Sequence, residues 1–309
     1  MIPIGHFEMR SLAVNLRVKR CAMLVACLAF TGSAHAVSYV WQAYNDCSPS
    51  GSGTSTDTNL VTIYTLSNNT RTVNGISQGA SGALKNFATG AAVAPTVTFT
   101  HVNADANGSL GGGLFAAGTP ANAVFVTGTS SKINVNQSGT GIRKNPTGAT
   151  TPWFVEMTFA NLDPNETYTL ATTLNRDNTY ALVRWTKVSI AGAEGFVNES
   201  AAGSTPSPNS IANIFFNPGG ASDYVSIGPN NTSNGAIAEW TGIKPGADGQ
   251  FVIRFAVPDN TTQTGGSAFD FTEGGYGPTA FMLAQEIPEP STLALLGMGA
   301  LACASRRRK

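Results

Sequence analysis

The stretch WFVEMTFA, residues 153–160, decides the fold class, because its polar and apolar residues alternate with a period of two. Successive side chains of a β-strand point to opposite faces of the sheet, so this pattern predicts a half-buried strand. Glu156 and Thr158 take the polar face. The apolar face is made by Trp153, Val155, Met157 and Phe159.

The same alternation recurs along the chain, and it predicts further strands at 97–101, 168–174 and 251–257. Shorter apolar segments bounded by turn residues add more predicted strands, at 39–44, 60–66, 123–127, 181–190, 224–227, 236–243 and 280–285.

Turn signals separate these segments, at 107–108, 161–164, 244–246 and 248–249. Only 82–88 suggests a helix, of one or two turns. About ten strands in about 250 residues predict an all-β fold, a two-sheet antiparallel β-sandwich that is jelly-roll-like. One domain over 37–286 is expected. A split near residue 150 is the alternative, because 139–152 is rich in Gly, Thr and Pro.

The N-terminus has the three parts of a secretory signal peptide. A basic segment ends at Arg20, an apolar run covers 21–30, and Ala34 and Ala36 form an A-x-A cleavage site for signal peptidase. Residues 1–36 are therefore predicted to be a signal helix that is removed on export. A lipoprotein signal ending at Cys27 is the alternative, but its apolar run is shorter than a signal requires.

Cys47 is the one cysteine left in the exported body, since residues 21 and 27 fall in the signal and residue 303 in the tail. A disulfide within the body is excluded, so its hydrophobic core must stabilise it. Residues 37–287 carry 10 Lys and Arg against 16 Asp and Glu, a net charge of −6. Nucleic-acid binding requires a basic surface, so a nucleic-acid partner is not expected.

The parts of an enzyme are mostly absent from the body. Its one histidine, His101, excludes a multi-histidine metal site. Residues 75–79 match G-x-S-x-G, but that nucleophile elbow lies between a strand and a helix of an α/β sheet. A non-enzymatic protein is therefore predicted. The alternative is a secreted glycan-active hydrolase or lyase that uses carboxylates such as Glu156, Glu194, Glu199 and Glu239.

Two kinds of ligand site can be placed on the sequence. Asn103, Asp105 and Asn107 alternate before a glycine as in the start of an EF-hand loop, although position twelve lacks the Glu ligand. A Ca²⁺-stabilised adhesin is therefore a further alternative; otherwise no cofactor is predicted. Aromatic rings in loops can stack on sugars, and Tyr180 and Tyr276 are the candidates for such a site.

The C-terminal segment 287–309 has three parts in a fixed order. It begins with Pro288, Glu289 and Pro290, continues with about fifteen mostly apolar residues, and ends with Arg306, Arg307, Arg308 and Lys309. Fifteen residues span about 22 Å as a helix, short of the roughly 30 Å hydrocarbon core, so the segment is a weak anchor. The basic residues keep this end in the cytoplasm and leave the body outside the membrane.

This arrangement resembles the PEP-CTERM sorting signal of exported bacterial proteins. The resemblance implies recognition by exosortase, a membrane transpeptidase, and removal of the tail after transient tethering to the inner membrane. It further implies sorting to the cell surface or extracellular matrix, often in producers of exopolysaccharide. A single-span anchor that is never cut is the alternative.

The body is also similar to sandwich domains that accompany such tails, through residues 162–168, 175–176, 190–196 and 239–251. This resemblance implies that Trp240 is a core aromatic and that 246–249 form a tight turn. The sequence as a whole predicts an exported surface or matrix protein with a structural or adhesive role that contacts polysaccharide.

Overall fold

The computed structural model describes residues 38–46, 80–102, 105–109, 115–126, 140–143, 153–174, 185–203, 215–228, 231–259 and 275–287. The predicted signal helix, the strand at 60–66, the G-x-S-x-G stretch and the apolar part of the tail lie outside these residues. Within the described residues, no helix is long and apolar enough to cross a membrane.

The described chain is mostly β-structure, in two larger antiparallel sheets and one small sheet. The strands are β1 Tyr39–Asp46, β2 Ala80–Lys85, β3 Ala92–Val102, β4 Asp105–Ser109, β5 Thr140–Arg143, β6 Phe154–Ala160, β7 Tyr168–Thr173, β8 Thr186–Ala191, β9 Ala193–Asn198, β10 Phe215–Phe216, β11 Tyr224–Ile227, β12 Ala238–Pro245, β13 Phe251–Ala256, β14 Gly275–Tyr276 and β15 Ala280–Glu286. The two helices are α1 Pro120–Phe125 and α2 Asn231–Asn234.

The first sheet has the order β1-β15-β7-β12-β9, and the second has the order β10-β11-β8-β13-β6-β3-β2. The small sheet is β14-β5-β4. The predicted all-β class and its antiparallel sheets are confirmed. A jelly roll has eight strands, whereas the two larger sheets together contain twelve described strands.

The strand that decides the fold class lies inside the second sheet, where β6 pairs with β13 on one side and with β3 on the other. Val155, Met157 and Phe159 are each 0% exposed, while the residues between them are partly exposed. The predicted alternation is therefore confirmed, and the apolar face of β6 contributes to the main core.

The main core takes members from both larger sheets and from both sides of residue 150. The Phe159 ring stacks on Phe251 of the same sheet at 5.1 Å between centroids, and it meets Phe281 of β15 edge-on at 5.2 Å. Both geometries are favoured by the ring quadrupoles. Trp240, predicted as a core aromatic, is 0% exposed in this core.

The prediction of a strand at 123–127 is wrong, because helix α1 covers Pro120–Phe125. Thr119 caps the helix by accepting from the Asn122 N–H at 3.3 Å, and Pro120 occupies the first turn. A Thr-Pro pair is a helix-start signal that the apolar run after it concealed. The buried side of α1 joins a second hydrophobic cluster, which includes Tyr44, Phe125 and Met282.

Two further local predictions are wrong. Residues 82–88 do not begin a helix, because 80–85 form β2 at the edge of the second sheet, paired with β3. Residues 107–108 do not make a turn between strands, because they lie within β4, at a register shift between Ala106 and Ser109. A bulge accommodates Asn-Gly as well as a turn does, so the dipeptide alone does not distinguish them.

The predicted tight turn at 246–249 is confirmed between β12 and β13. The Gly249 N–H donates to the Gly246 carbonyl at 2.7 Å, and Gly249 has a φ of +67°. A Cβ on Gly249 would lie 2.5 Å from the Leu162 carbonyl oxygen. Glycine is therefore required both for the left-handed backbone and for the close approach of the β6–β7 turn.

We predict that Phe159→Ala lowers the free energy of unfolding by about 3–5 kcal/mol, because it leaves a cavity between rings of both sheets. Chemical denaturation of the purified protein measures this change. Val40→Ala is the control, since Val40 is 54% exposed and its truncation should cost about 0.5 kcal/mol or less. A loss below about 1 kcal/mol for Phe159→Ala would show that the two sheets do not depend on this ring.

Candidate functional site

The last described strand ends at Glu286, and this residue is held by three hydrogen bonds. Its N–H donates to the Thr167 carbonyl at 2.9 Å. Its Oε1 accepts from the Thr169 hydroxyl at 2.7 Å and from the Gly242 N–H at 2.8 Å. Neighbours on β7 and β12 therefore fix the point at which the C-terminal segment leaves the sheet.

Both ends of the described fold lie at the same end of the first sheet. Strand β1 pairs antiparallel with β15, and Tyr39 is opposite Glu286. The predicted signal cleavage site at Ala36 lies three positions before Tyr39, and Pro288 lies two positions after Glu286. The two predicted processing positions are therefore close in sequence to one pair of neighbouring residues.

Two glutamates face each other near this point, across β12 and the segment that follows β9. Trp240 pairs with Asn198, and the Glu199 N–H donates to the Glu239 carbonyl at 2.9 Å. The Glu239 N–H donates instead to the Ser200 hydroxyl at 2.9 Å. Like charges directly opposite on neighbouring strands repel each other.

Burial, and next the Glu199 carboxylate, raise the pKa of Glu239 to about 7. The pKa of the Tyr39 hydroxyl is also raised, mainly by burial. A hydrogen bond to Thr169 opposes this shift, and the charges of Glu239 and Glu286 add to it. A carboxyl group with a pKa near 7 can exchange a proton at neutral pH, as a general acid or base must. We call the part of the first sheet around Glu199 and Glu239 the acidic face. Among the carboxyl groups of the described residues, Glu239 has the most strongly raised pKa.

A cleft of about 560 Å³ opens at the same end of the first sheet. Its base is a row of three neighbours across β1, β15 and β7, namely Trp41, Gln285 and Tyr168. The Trp41 indole N–H donates to the Gln285 Oε1 at 2.7 Å. The ring centroids of Trp41 and Tyr168 are 6.2 Å apart. The cleft combines aromatic rings with polar side chains in a volume typical of ligand sites.

Three of the predicted ligand residues, Asp105, Asn107 and Tyr276, lie within the described residues. Tyr276 lies on β14 and is 1% exposed within the main core, so its ring is not presented on a loop. Tyr180 lies outside the described residues. Asp105 and Asn107 lie on β4, and Asn103 lies outside the described residues. No group of three metal-binding side chains is found among the residues that the structure describes.

The residues predicted for processing also lie outside the described ranges. They are Ala34 and Ala36 of the signal cleavage site, Pro288, Glu289 and Pro290 of the sorting motif, and Arg306, Arg307, Arg308 and Lys309 of the membrane stop. Their roles therefore rest on the sequence pattern.

Sequence reasoning named Glu199 and Glu239 only as scattered acids and missed that they oppose each other. Their register follows from the pairing of β12 with β9, and β9 itself was not predicted as a strand. The cleft was missed because Trp41, Tyr168 and Gln285 are separated by more than a hundred positions along the chain. The sequence signal for the cleft was limited to the alternation that pointed Tyr168 to the apolar face of its strand and to the predicted strand at 39–44 that contains Trp41.

We predict that Glu239→Gln stabilises the protein at pH 8 by an amount on the order of 2 kcal/mol and has little effect at pH 4. The pKa of Glu239 is about 7 when folded and near 4.5 when exposed, so the native state binds the proton more tightly. The unfolding free energy of the wild type should therefore fall as pH rises from about 4.5 to about 7, and this slope should shrink in the variant.

Denaturant titrations at several pH values measure this slope, with Glu194→Gln as the control because Glu194 is exposed on β9. Equal slopes in the wild type and in Glu239→Gln would show that Glu239 has an ordinary carboxyl pKa.

Comparison with known proteins identified the C-terminal segment. No curated protein matches the chain, and no solved structure matches it. A family model described as the PEP-CTERM protein-sorting motif matches residues 286–309. The match begins at Glu286, the last residue of β15. The motif supports export, membrane anchoring through the C-terminal segment before processing, and processing by exosortase. The chain therefore carries, from the last residue of its last described strand onwards, the PEP-CTERM motif of proteins sorted by exosortase.

Proposed function

We propose that this protein is an exported cell-surface or extracellular-matrix protein with a structural or adhesive, non-enzymatic role. The observation that carries the proposal is the PEP-CTERM match at residues 286–309, which begins where the described fold ends. Signal peptidase removes residues 1–36, exosortase removes the C-terminal segment, and a β-sandwich over 37–286 with jelly-roll-like features remains at the surface. Its partner outside the cell is exopolysaccharide.

The shape of the described chain supports this proposal. Strand β15 lies between β1 and β7 and ends at Glu286, so cutting after Glu286 leaves every described strand in place. The signal and the sorting segment join the fold at neighbouring strand ends. Removal of both therefore leaves one folded unit that needs neither membrane segment for its sheets.

We predict that the exported protein loses its C-terminal segment only in cells that contain exosortase. The full chain is expressed in a PEP-CTERM host with and without the exosortase gene, and the mass of its C-terminus is measured. Exosortase cells should yield a chain that lacks Arg306–Lys309, and cells without it should retain the tail in the membrane fraction. An intact tail in both strains would overturn the proposed sorting.

The control is a chain with Pro288→Ala and Pro290→Ala, which keeps the apolar run and the basic end. Proline has a fixed φ and no N–H, so we expect the two prolines to disfavour helix at the motif and to leave it accessible to an enzyme. This variant should remain uncut in the exosortase strain. Cutting at the wild-type rate would show that the prolines are not recognised.

A second candidate function is a secreted glycan-active hydrolase or lyase, and the opposed Glu239 and Glu199 favour it. One carboxyl with a raised pKa beside a second carboxyl is the arrangement that acid–base cleavage of glycosidic bonds uses. Incubation of the purified protein with neutral, acidic and amino polysaccharides should then release reducing or unsaturated ends. Glu239→Gln should reduce that rate by about a hundredfold or more. Failure to cleave any of these polymers removes this candidate.

A further inference from the structure

We infer that the cleft beside β1, β15 and β7 binds an amino-sugar segment of a glycan. This inference rests on the proposed function, since a surface or matrix protein meets such polymers outside the cell. It goes further, because it names the chemical class of the ligand and the residues that bind it. It concerns the cleft of about 560 Å³ and not the acidic face that contains Glu239.

The base of the cleft fits a sugar ring. Trp41 is 9% exposed and presents an edge of its ring to the cleft, whereas Tyr168 is 2% exposed and supports the base from the core. The apolar wall opposite comes from Val93, Ala94 and Pro95 of β3, in the other sheet. A pyranose has one face of C–H groups, and such a face packs on aromatic and aliphatic side chains.

Polar groups at the base are already oriented by bonds within the protein. The Trp41 indole N–H holds the Gln285 Oε1, so the NH₂ group of Gln285 can donate to a ligand hydroxyl. The Tyr168 hydroxyl accepts from the Asp163 N–H at 3.0 Å, which fixes the backbone of Asp163 beside the cleft. These side chains lose little conformational freedom on binding, which favours affinity.

The charge around the cleft selects among sugars. Among the described residues, the lining contains two carboxylates, Asp163 and Glu166, and no Lys, Arg or His. Asp163 is exposed and Glu166 is partly exposed, so both lie towards the opening. A positively charged amino sugar is attracted there, whereas a uronic acid is repelled. Since residues 37–287 also have a net charge of −6, the long-range field acts in the same direction.

The test is calorimetric titration of the purified full chain in detergent with three tetrasaccharides of equal length. They are a glucosamine, a glucose and a galacturonic acid tetramer. The glucosamine tetramer should bind at least threefold more tightly than the glucose tetramer, and the galacturonic acid tetramer should bind most weakly. Equal affinity for the first two, or no binding of the glucosamine tetramer at millimolar concentration, overturns the inference.

Two matched pairs of variants locate the binding. Glu166→Gln should weaken glucosamine binding by about threefold to tenfold, whereas Glu194→Gln, which removes the same charge on β9, should not. Ala94→Lys adds a cation to the cleft wall and should abolish binding, whereas Ala123→Lys on α1 should not. Unchanged binding in both cleft variants overturns the assignment.

Trilysine separates a glycan site from a site for any cation. Binding of trilysine as tight as that of the glucosamine tetramer would overturn the inference in favour of a basic peptide. The titrations are independent of exosortase. If the glucosamine tetramer does not bind but exosortase removes the tail, the inferred ligand is rejected and the proposed sorting stands. If the tetramer binds but the tail is not removed, the proposed sorting is rejected and the inferred ligand stands.

Discussion

The structure depends on the placement of its last strand, β15, between β1 and β7 in the first sheet. The strand presents Phe281 and Leu283 to the main core, and its opposite face contributes Met282 to the second cluster. Because both faces of β15 are buried, both carry apolar side chains. Because β15 is the one described strand that pairs with β1 in this sheet, this edge cannot form until the C-terminal part of the chain has arrived.

That placement brings together two features of functional interest in the described residues. Glu286 ends β15 beside Thr169 and Gly242, and the PEP-CTERM match starts at the same residue. Gln285, one position earlier, forms the base of the cleft with its neighbours on β1 and β7. The sorting junction and the cleft are therefore consecutive along one strand, with their side chains on opposite faces of the sheet.

The carboxyl groups on this sheet show how fold and charge compete. Glu286 has two hydrogen-bond donors on its carboxylate, whereas Glu239 has a pKa raised to about 7 by its burial and next by the like charge of Glu199 opposite it. A protein that required only stability would avoid this pair, because a neutral side chain at 239 removes the repulsion. The pair is the observation behind the second candidate function, and the cleft is the observation behind the inferred binding of an amino sugar.

The sequence by itself determined the β class, the core faces of strands such as β6 and β13, the tight turn at Gly249 and the sorting motif. Each of these depends on residues that are near one another in the chain, so periodicity and turn chemistry suffice. It misassigned α1, because an apolar run conceals a helix when its Thr-Pro start is overlooked. Only the tertiary structure decided that Glu199 opposes Glu239 and that Trp41, Gln285 and Tyr168 form one row. Strand order and register join residues that are far apart in sequence, and local patterns contain no information about that pairing.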